Sequence, residues 1–171
     1  MKKILPALVP GFAVGVLQIV PMLKSFACCL LIPLAGFFSV TLYQKSTGSE
    51  NKIGISKGIV LGLFTGIFAA VFTSLFEIFI TLITKSNDLV LTYNELIKTM
   101  DSLPFDPALK QQVIDLMGSM KTEIQTTGFS LLYSFTIIFN NFLTNTIFGM
   151  IGGAIGAQYF NSRFKRNNDR E

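Results

Sequence analysis

Five polar side chains interrupt the long apolar stretches of this sequence, and these are the residues best suited to do chemistry there. Lys24 and Glu77 are charged, and Asn140, Asn141 and Asn145 carry amides. An ionisable group within an apolar span can hold an ion pair, a proton or a ligand, and amides hydrogen-bond between helices. For Glu77 three roles stay open: a carboxylate reaching interfacial water, an ion pair with Lys24, or a ligand, proton or ion site.

The remaining reactive residue types indicate no catalysis. The chain has no histidine, and its two cysteines, Cys28 and Cys29, are neighbours inside an apolar run. Adjacent cysteines rarely meet disulfide geometry, and no carboxylate cluster falls within a span. The sequence therefore predicts no catalytic residue, no cofactor and no metal site, and we expect the protein not to be an enzyme.

Composition places the chain in a membrane. Of its 171 residues, 50% are hydrophobic and 14% are charged, and the mean hydropathy is +0.56. A soluble domain carries nearer 25% charged residues. The net charge of +4 comes from basic residues near the ends of apolar stretches, where they set orientation in a bilayer. We expect the lipid bilayer as a partner and no nucleic acid.

The pattern predicts an all-α, integral membrane four-helix bundle formed by a single membrane domain over 1–171. Because about 20 apolar residues cross a bilayer, the spans are predicted at about 4–20, 25–43, 58–84 and 134–160. Between the third and fourth spans, apolar residues at helical spacing predict two amphipathic helices, an extramembrane cap over about 86–127. The last apolar stretch allows two alternatives: one long helix reaching the cap, or a break near Asn140–Asn145.

The distribution of basic residues predicts orientation. With four spans and a cytoplasmic N-terminus, most of the 14 basic residues lie inside. They are Lys2, Lys3, Lys45, Lys52, Lys57, Arg163, Lys165, Arg166 and Arg170. A fifth span would put the last cluster outside, against the positive-inside bias. We therefore expect a multi-pass protein of the bacterial cytoplasmic (inner) membrane with both termini cytoplasmic.

Small residues recur on the predicted spans in the spacing that packs helices closely. They are Gly11, Gly15, Gly58, Gly62, Gly66, Ala70, Gly149, Gly153 and Gly156. Most lie in the inner half of their spans. Lys24, Glu77 and Asn141 lie about 19 positions, or about 28 Å, from the inner ends of theirs. This predicts a bundle pinched toward the cytoplasm, with the five polar residues lining a shallow outward-facing pocket.

Three segments carry a resemblance to a known family. NKIGISKGIVLGLFTGIFAAVF, the acidic helical segment after it, and NTIFGMIGGAIGAQYF before a basic tail are similar to an uncharacterised bacterial family of small four-span membrane proteins. The likeness covers about residues 44–166. It implies a protein of the bacterial cytoplasmic membrane and supplies no catalytic residue.

Two functions follow as expectations. The first is a non-enzymatic packing or interaction component of the membrane, acting as a homo-oligomer or with a membrane protein partner and using the cap for recognition. The alternative is a small transporter or channel subunit with its polar site near Glu77.

Overall fold

The structure, a computed structural model, describes residues 4–48 and 52–168, and all its regular elements in these ranges are helical. The α-helices are α1 (Leu5–Leu17), α2 (Pro21–Phe26), α3 (Ile32–Thr47), α4 (Ile55–Thr84), α5 (Asp88–Ser102), α6 (Pro107–Thr127) and α7 (Leu131–Asn168). A π-helical turn, Ala27–Leu31, joins α2 to α3. The predicted all-α class is confirmed.

The helices form two compact units. The first comprises Met1–Ser74 and Ile138–Glu171, and the second comprises Leu75–Ile137. Helices α4 and α7 each contribute residues to both units. That all of 1–171 acts as one membrane domain stays a prediction.

The connection expected at Pro21–Lys24 is instead the start of a helix. Pro21 begins α2, because proline lacks the N–H that a first helical turn leaves unpaired. Further along, Pro33 lies at the start of α3, immediately after the π-helical turn. There the Ile32 N–H donates to the Ala27 carbonyl, five residues back. The widened turn accommodates a proline ring that would clash in a regular α-helix.

Glycines bring helix backbones into contact in the first unit. A Cβ at Gly58 would lie 2.5 Å from the Gly153 carbonyl oxygen, and one at Gly62 would overlap the Gly149 carbonyl oxygen. Backbone of α4 therefore packs directly on backbone of α7. On another face of α4, a Cβ at Gly15 would lie 2.7 Å from the Phe72 Cβ, so α1 also packs closely.

Other small residues at predicted packing positions also lie close to neighbouring helices. A Cβ at Gly11 would lie 2.8 Å from the Thr65 carbonyl oxygen, and one at Gly156 would lie 3.2 Å from the Val40 Cβ. Ala70 is fully buried. Gly36 and Gly152 also face backbone of α7 and α3 respectively.

The second unit contains the two predicted amphipathic helices. The Asn87 side chain caps α5 by accepting from the Val90 N–H at 3.0 Å. Asp106 caps α6 by accepting from the Ala108 N–H at 2.8 Å. Helices α5 and α6 pack together, and the Lys121 ammonium lies 4.3 Å from the centre of the Tyr93 ring. Side-chain caps thus mark the N-terminal ends of both helices.

Helix α7 decides between the two alternatives for the last apolar stretch. It runs without interruption from Leu131 to Asn168. The asparagines hydrogen-bond from within a continuous helix and do not break it.

Two helical segments of the described chain, Leu23–Thr47 and Ile55–Thr84, are long and apolar enough to cross a membrane. Helix α1 is apolar but has only 13 residues. Helix α7 is long, but the polar residues Asn140, Asn141 and Asn145 lower its hydropathy. Of the four predicted spans, two thus meet the length and composition that spanning requires.

Candidate functional site

A buried hydrogen-bond network joins α1, α4 and α7 in the first unit. The Gln18 amide donates to the Asn145 side-chain oxygen at 2.8 Å. Asn145 donates in turn to the Asn141 carbonyl oxygen at 2.8 Å. Asn141 donates to the Ser74 hydroxyl oxygen at 3.1 Å. All four residues are buried, and Asn145 is only 1% exposed.

Helix ends and helix spacing position this network. Gln18 caps the C-terminal end of α1, so its side chain leaves the helix where the chain turns. Asn141 and Asn145 are four residues apart and share one face of α7. The close approach of Gly66 to the Asn145 backbone brings α4 against that face. The network therefore depends on the glycine contacts beside it.

The structure brings together only part of the predicted polar pocket. Asn141 and Asn145 lie in the network, whereas Asn140 is exposed, since adjacent helical residues point about 100° apart. Lys24 is half-buried in the first unit. Glu77 is buried, 9% exposed, in the second unit. The five-residue pocket stays a prediction.

Gln18 and Ser74 are network members that sequence reasoning missed. Gln18 lies near the end of the first predicted span and resembles an interfacial residue, and a serine within an apolar helix carries no distinctive signal. The spacing of Asn141 and Asn145 gave the only hint, because two amides on one helix face need polar partners. Amides do not titrate near neutral pH, so this network binds helices together and does not carry protons.

Buried polar residues also occur in the second unit. Besides Glu77 they are Thr81, Ser130 and Ser134. The last three line a narrow crevice with Ile78 that has no space for a water molecule. In this unit, a Cβ at Gly128 would lie 2.5 Å from the Leu82 carbonyl oxygen. The crevice is tightly packed, and it offers no ligand cavity.

A second amide clamp fixes the loop before α4. The Ile53 N–H donates to the Asn161 side-chain oxygen at 3.0 Å, and the Asn161 amide donates to the Ile53 carbonyl oxygen at 2.7 Å. Nearby on the same unit, the Lys57 ammonium lies 4.7 Å from the centre of the Tyr43 ring. The Asn161 side chain thus substitutes for a backbone partner, a role that its sequence position does not reveal.

No metal-binding group of three or more His, Cys, Asp or Glu residues occurs among the described residues. The Cys28 and Cys29 sulfurs lie 3.5 Å apart as free thiols. Comparison of the chain with protein-family models, with curated proteins and with solved structures finds no match.

Proposed function

We propose that this chain is a four-span protein of the bacterial cytoplasmic membrane, with both termini inside, and that it acts by binding another protein. The observation that carries the membrane assignment is an inverted distribution of polarity. Large apolar side chains cover most of the outside of α1, α3, α4 and α7, and polar side chains lie buried within. A soluble protein has the opposite arrangement.

Helix α4 illustrates the inversion. Between Lys57 and Thr84 every exposed residue is large and apolar, and every polar residue is buried. The polar set comprises Thr65, Thr73, Ser74, Glu77 and Thr81. The segment between Lys57 and Thr84 is about 40 Å long as a helix, which exceeds the thickness of a hydrocarbon core, about 30 Å. Only 44% of the most apolar part of α4 is buried, which is low for the core helix of a soluble protein.

The exposed face of α7 supports a further span despite its modest hydropathy. Between Asn140 and Gln158 the exposed residues are apolar: Phe142, Leu143, Ile147, Ile151 and Ile155. The segment from Asn140 to Gln158 covers about 27 Å along the helix, close to the thickness of a hydrocarbon core. Asn141 and Asn145 lower the mean hydropathy but are buried, so lipid would contact only the apolar face.

Topology can be measured in intact cells. Single cysteines at Lys52, Ser102, Ser119 and Ser162, in a background without Cys28 and Cys29, would be probed with an impermeant thiol reagent. All four positions are exposed. Labelling of 102 and 119 but not of 52 and 162 is the expected result. The reverse pattern would overturn the orientation, and labelling of only one of 102 and 119 would overturn the span count.

Binding to a protein is the function that the second unit favours. Three exposed apolar side chains, Phe105, Leu109 and Leu116, lie at the start and along one side of α6. Most of the other exposed residues between 105 and 127 are polar, and Asp106, Asp115 and Glu123 among them are acidic. Outside the membrane such residues mark interaction surfaces. The acidic charge disfavours binding to anionic lipid headgroups, so the proposed partner is a protein.

Site-specific photo-crosslinking tests this surface. A photoreactive amino acid at Leu109 or Leu116 should give one discrete protein adduct in native membranes. The same group at Ser119, exposed on the same helix, is the matched control and should give none. Leu109→Asp should remove the adduct formed from position 116. Equal labelling from all three positions would show that the surface has no specific partner.

A second candidate, a small transporter or channel subunit, is favoured by one observation. Glu77 is a buried carboxylate on the more apolar of the two candidate spans, and such residues mark ion and proton paths. If Glu77 conducts protons, vesicles containing the protein should dissipate a pH gradient. Glu77→Gln should then abolish this leak, while Glu95→Gln, at an exposed carboxylate on α5, should not. No leak above that of empty vesicles would exclude proton conduction.

A further inference from the structure

A groove opens on the first unit between the beginning of α1 and the end of α3. Leu5, Pro6 and Val9 form one wall, and Leu42 and Ser46 form the other. The cavity volume is about 360 Å³. Because the N-terminal end of α1 meets the C-terminal end of α3 here, the two helices are antiparallel. Four of the five lining residues are apolar.

Basic side chains border this groove. Lys45 precedes Ser46 on α3 and is exposed. On the other side of Leu42 lies Tyr43, whose ring carries the Lys57 ammonium at 4.7 Å. The groove thus has apolar walls, and two basic residues lie on or against the turn of α3 that contributes Leu42 and Ser46.

The charged residues that the structure describes in the first unit are all basic. Its described residues (4–48, 52–74 and 138–168) include no aspartate or glutamate. Every described carboxylate lies in the second unit. No acidic group of the described first unit therefore competes for Lys45 or Lys57. The described charges of this unit therefore favour a ligand that carries negative charge.

We propose that the groove binds an anionic phospholipid, with an acyl chain along Leu5, Val9 and Leu42 and the phosphate beside Lys45 and Ser46. The inference rests on the proposed four-span topology. In that arrangement Leu42 and Ser46 lie at the inner boundary between hydrocarbon and headgroups. Basic pockets between helices on the cytoplasmic side of a membrane bind anionic headgroups.

The test uses the purified full chain in detergent solution. Phosphatidylglycerol, phosphatidylcholine or glycerol phosphate would be added, and thermal unfolding would be recorded. We expect phosphatidylglycerol to raise Tm by about 5 °C or more at saturation and the other two to have little effect. An equal shift with phosphatidylcholine would overturn selectivity for the anionic headgroup. An equal shift with glycerol phosphate would overturn the role of the acyl chain.

Paired variants locate the effect. Lys45→Gln removes the cation and Leu42→Trp fills the groove, so each should lose at least half of the shift. Lys98→Gln and Leu34→Trp, at an exposed lysine of the second unit and an exposed leucine of α3 outside the groove, should retain it. Retention of the full shift in Lys45→Gln would overturn the proposal even if Leu42→Trp failed to fold. Cysteine labelling at 52 and 162 tests the topology separately from this measurement.

Discussion

At the scale of single residues, buried amides link the helices of the first unit through hydrogen bonds. Asn145 is 1% exposed and uses its oxygen and its nitrogen in two hydrogen bonds within the first unit. Removing one partner leaves the other amide buried without compensation, which costs more than the bond itself contributes. Replacing Asn145 should therefore lower the free energy of unfolding more than replacing any other residue of the network.

Asn145→Leu should lower the free energy of unfolding by about 1–2 kcal/mol, because the Gln18 amide loses its acceptor. A double variant with Gln18→Leu should recover part of the loss. Thermal unfolding in detergent measures both. Asn140→Leu, at an exposed position, serves as the control and should be close to neutral. An Asn145→Leu protein as stable as the wild type would show that the network contributes nothing.

The clamp at Asn161 leads to a second prediction at this scale. Asn161→Ala should leave the Ile53 N–H and carbonyl without their side-chain partners and cost about 1–3 kcal/mol. Limited proteolysis should then cut the loop before α4 faster. Ser162→Ala, at the neighbouring exposed residue, should not change the cutting rate. Equal rates in the two variants would contradict the clamp.

At the scale of elements, the packing of α4 depends on a face that consists of glycines. Gly58, Gly62 and Gly66 recur every four residues, and each lies against backbone of α7. Within a bilayer the hydrophobic effect does not drive helices together, so close van der Waals packing and interhelical hydrogen bonds must do so. The glycine face of α4 allows the close packing. It also brings α4 near the amides of α7, which form the hydrogen bonds.

Gly62→Ala tests this packing. Its Cβ would overlap the Gly149 carbonyl oxygen, so the helices must separate, at a cost of about 1–3 kcal/mol. Gly54→Ala is the matched control, since nothing lies within 4 Å of a Cβ there. Circular dichroism during heating should show a lower Tm for Gly62→Ala alone. Equal Tm values would mean that α4 and α7 do not pack through this face.

At the scale of the whole molecule, the two units differ in how deeply they bury their residues. In the first unit α4 packs backbone to backbone, whereas α5 in the second unit has no buried residue. Local opening needs less free energy where few contacts must break. The units should therefore differ in local stability although α4 and α7 run through both.

Hydrogen exchange measures this difference. Amides of α4 between 58 and 74 should exchange slowest, and those of α5 should exchange much faster in the same detergent sample. Exchange in α6 near the buried Ile124 should fall between the two. Protection of α5 equal to that of α4 would contradict the expected order.

The sequence by itself determined the all-α class. It also determined the presence of two amphipathic helices after the third predicted span. These features depend on contacts within a few residues: the caps at Asn87 and Asp106, the prolines at helix starts, and apolar periodicity. The sequence did not predict the π-helical turn before Pro33 or the helical start at Pro21, because the sequence does not say how a proline will be accommodated.

Tertiary structure alone decided which polar residues meet. Asn140 and Asn141 are neighbours in sequence, yet only Asn141 belongs to the network, since helix rotation separates adjacent side chains. Gln18 joins Asn145 across 127 positions, a pairing that no local pattern specifies. The groove between α1 and α3 likewise arises only where two helix ends diverge. Contacts between distant residues depend on the rotation and separation of whole helices, which only the packed molecule defines.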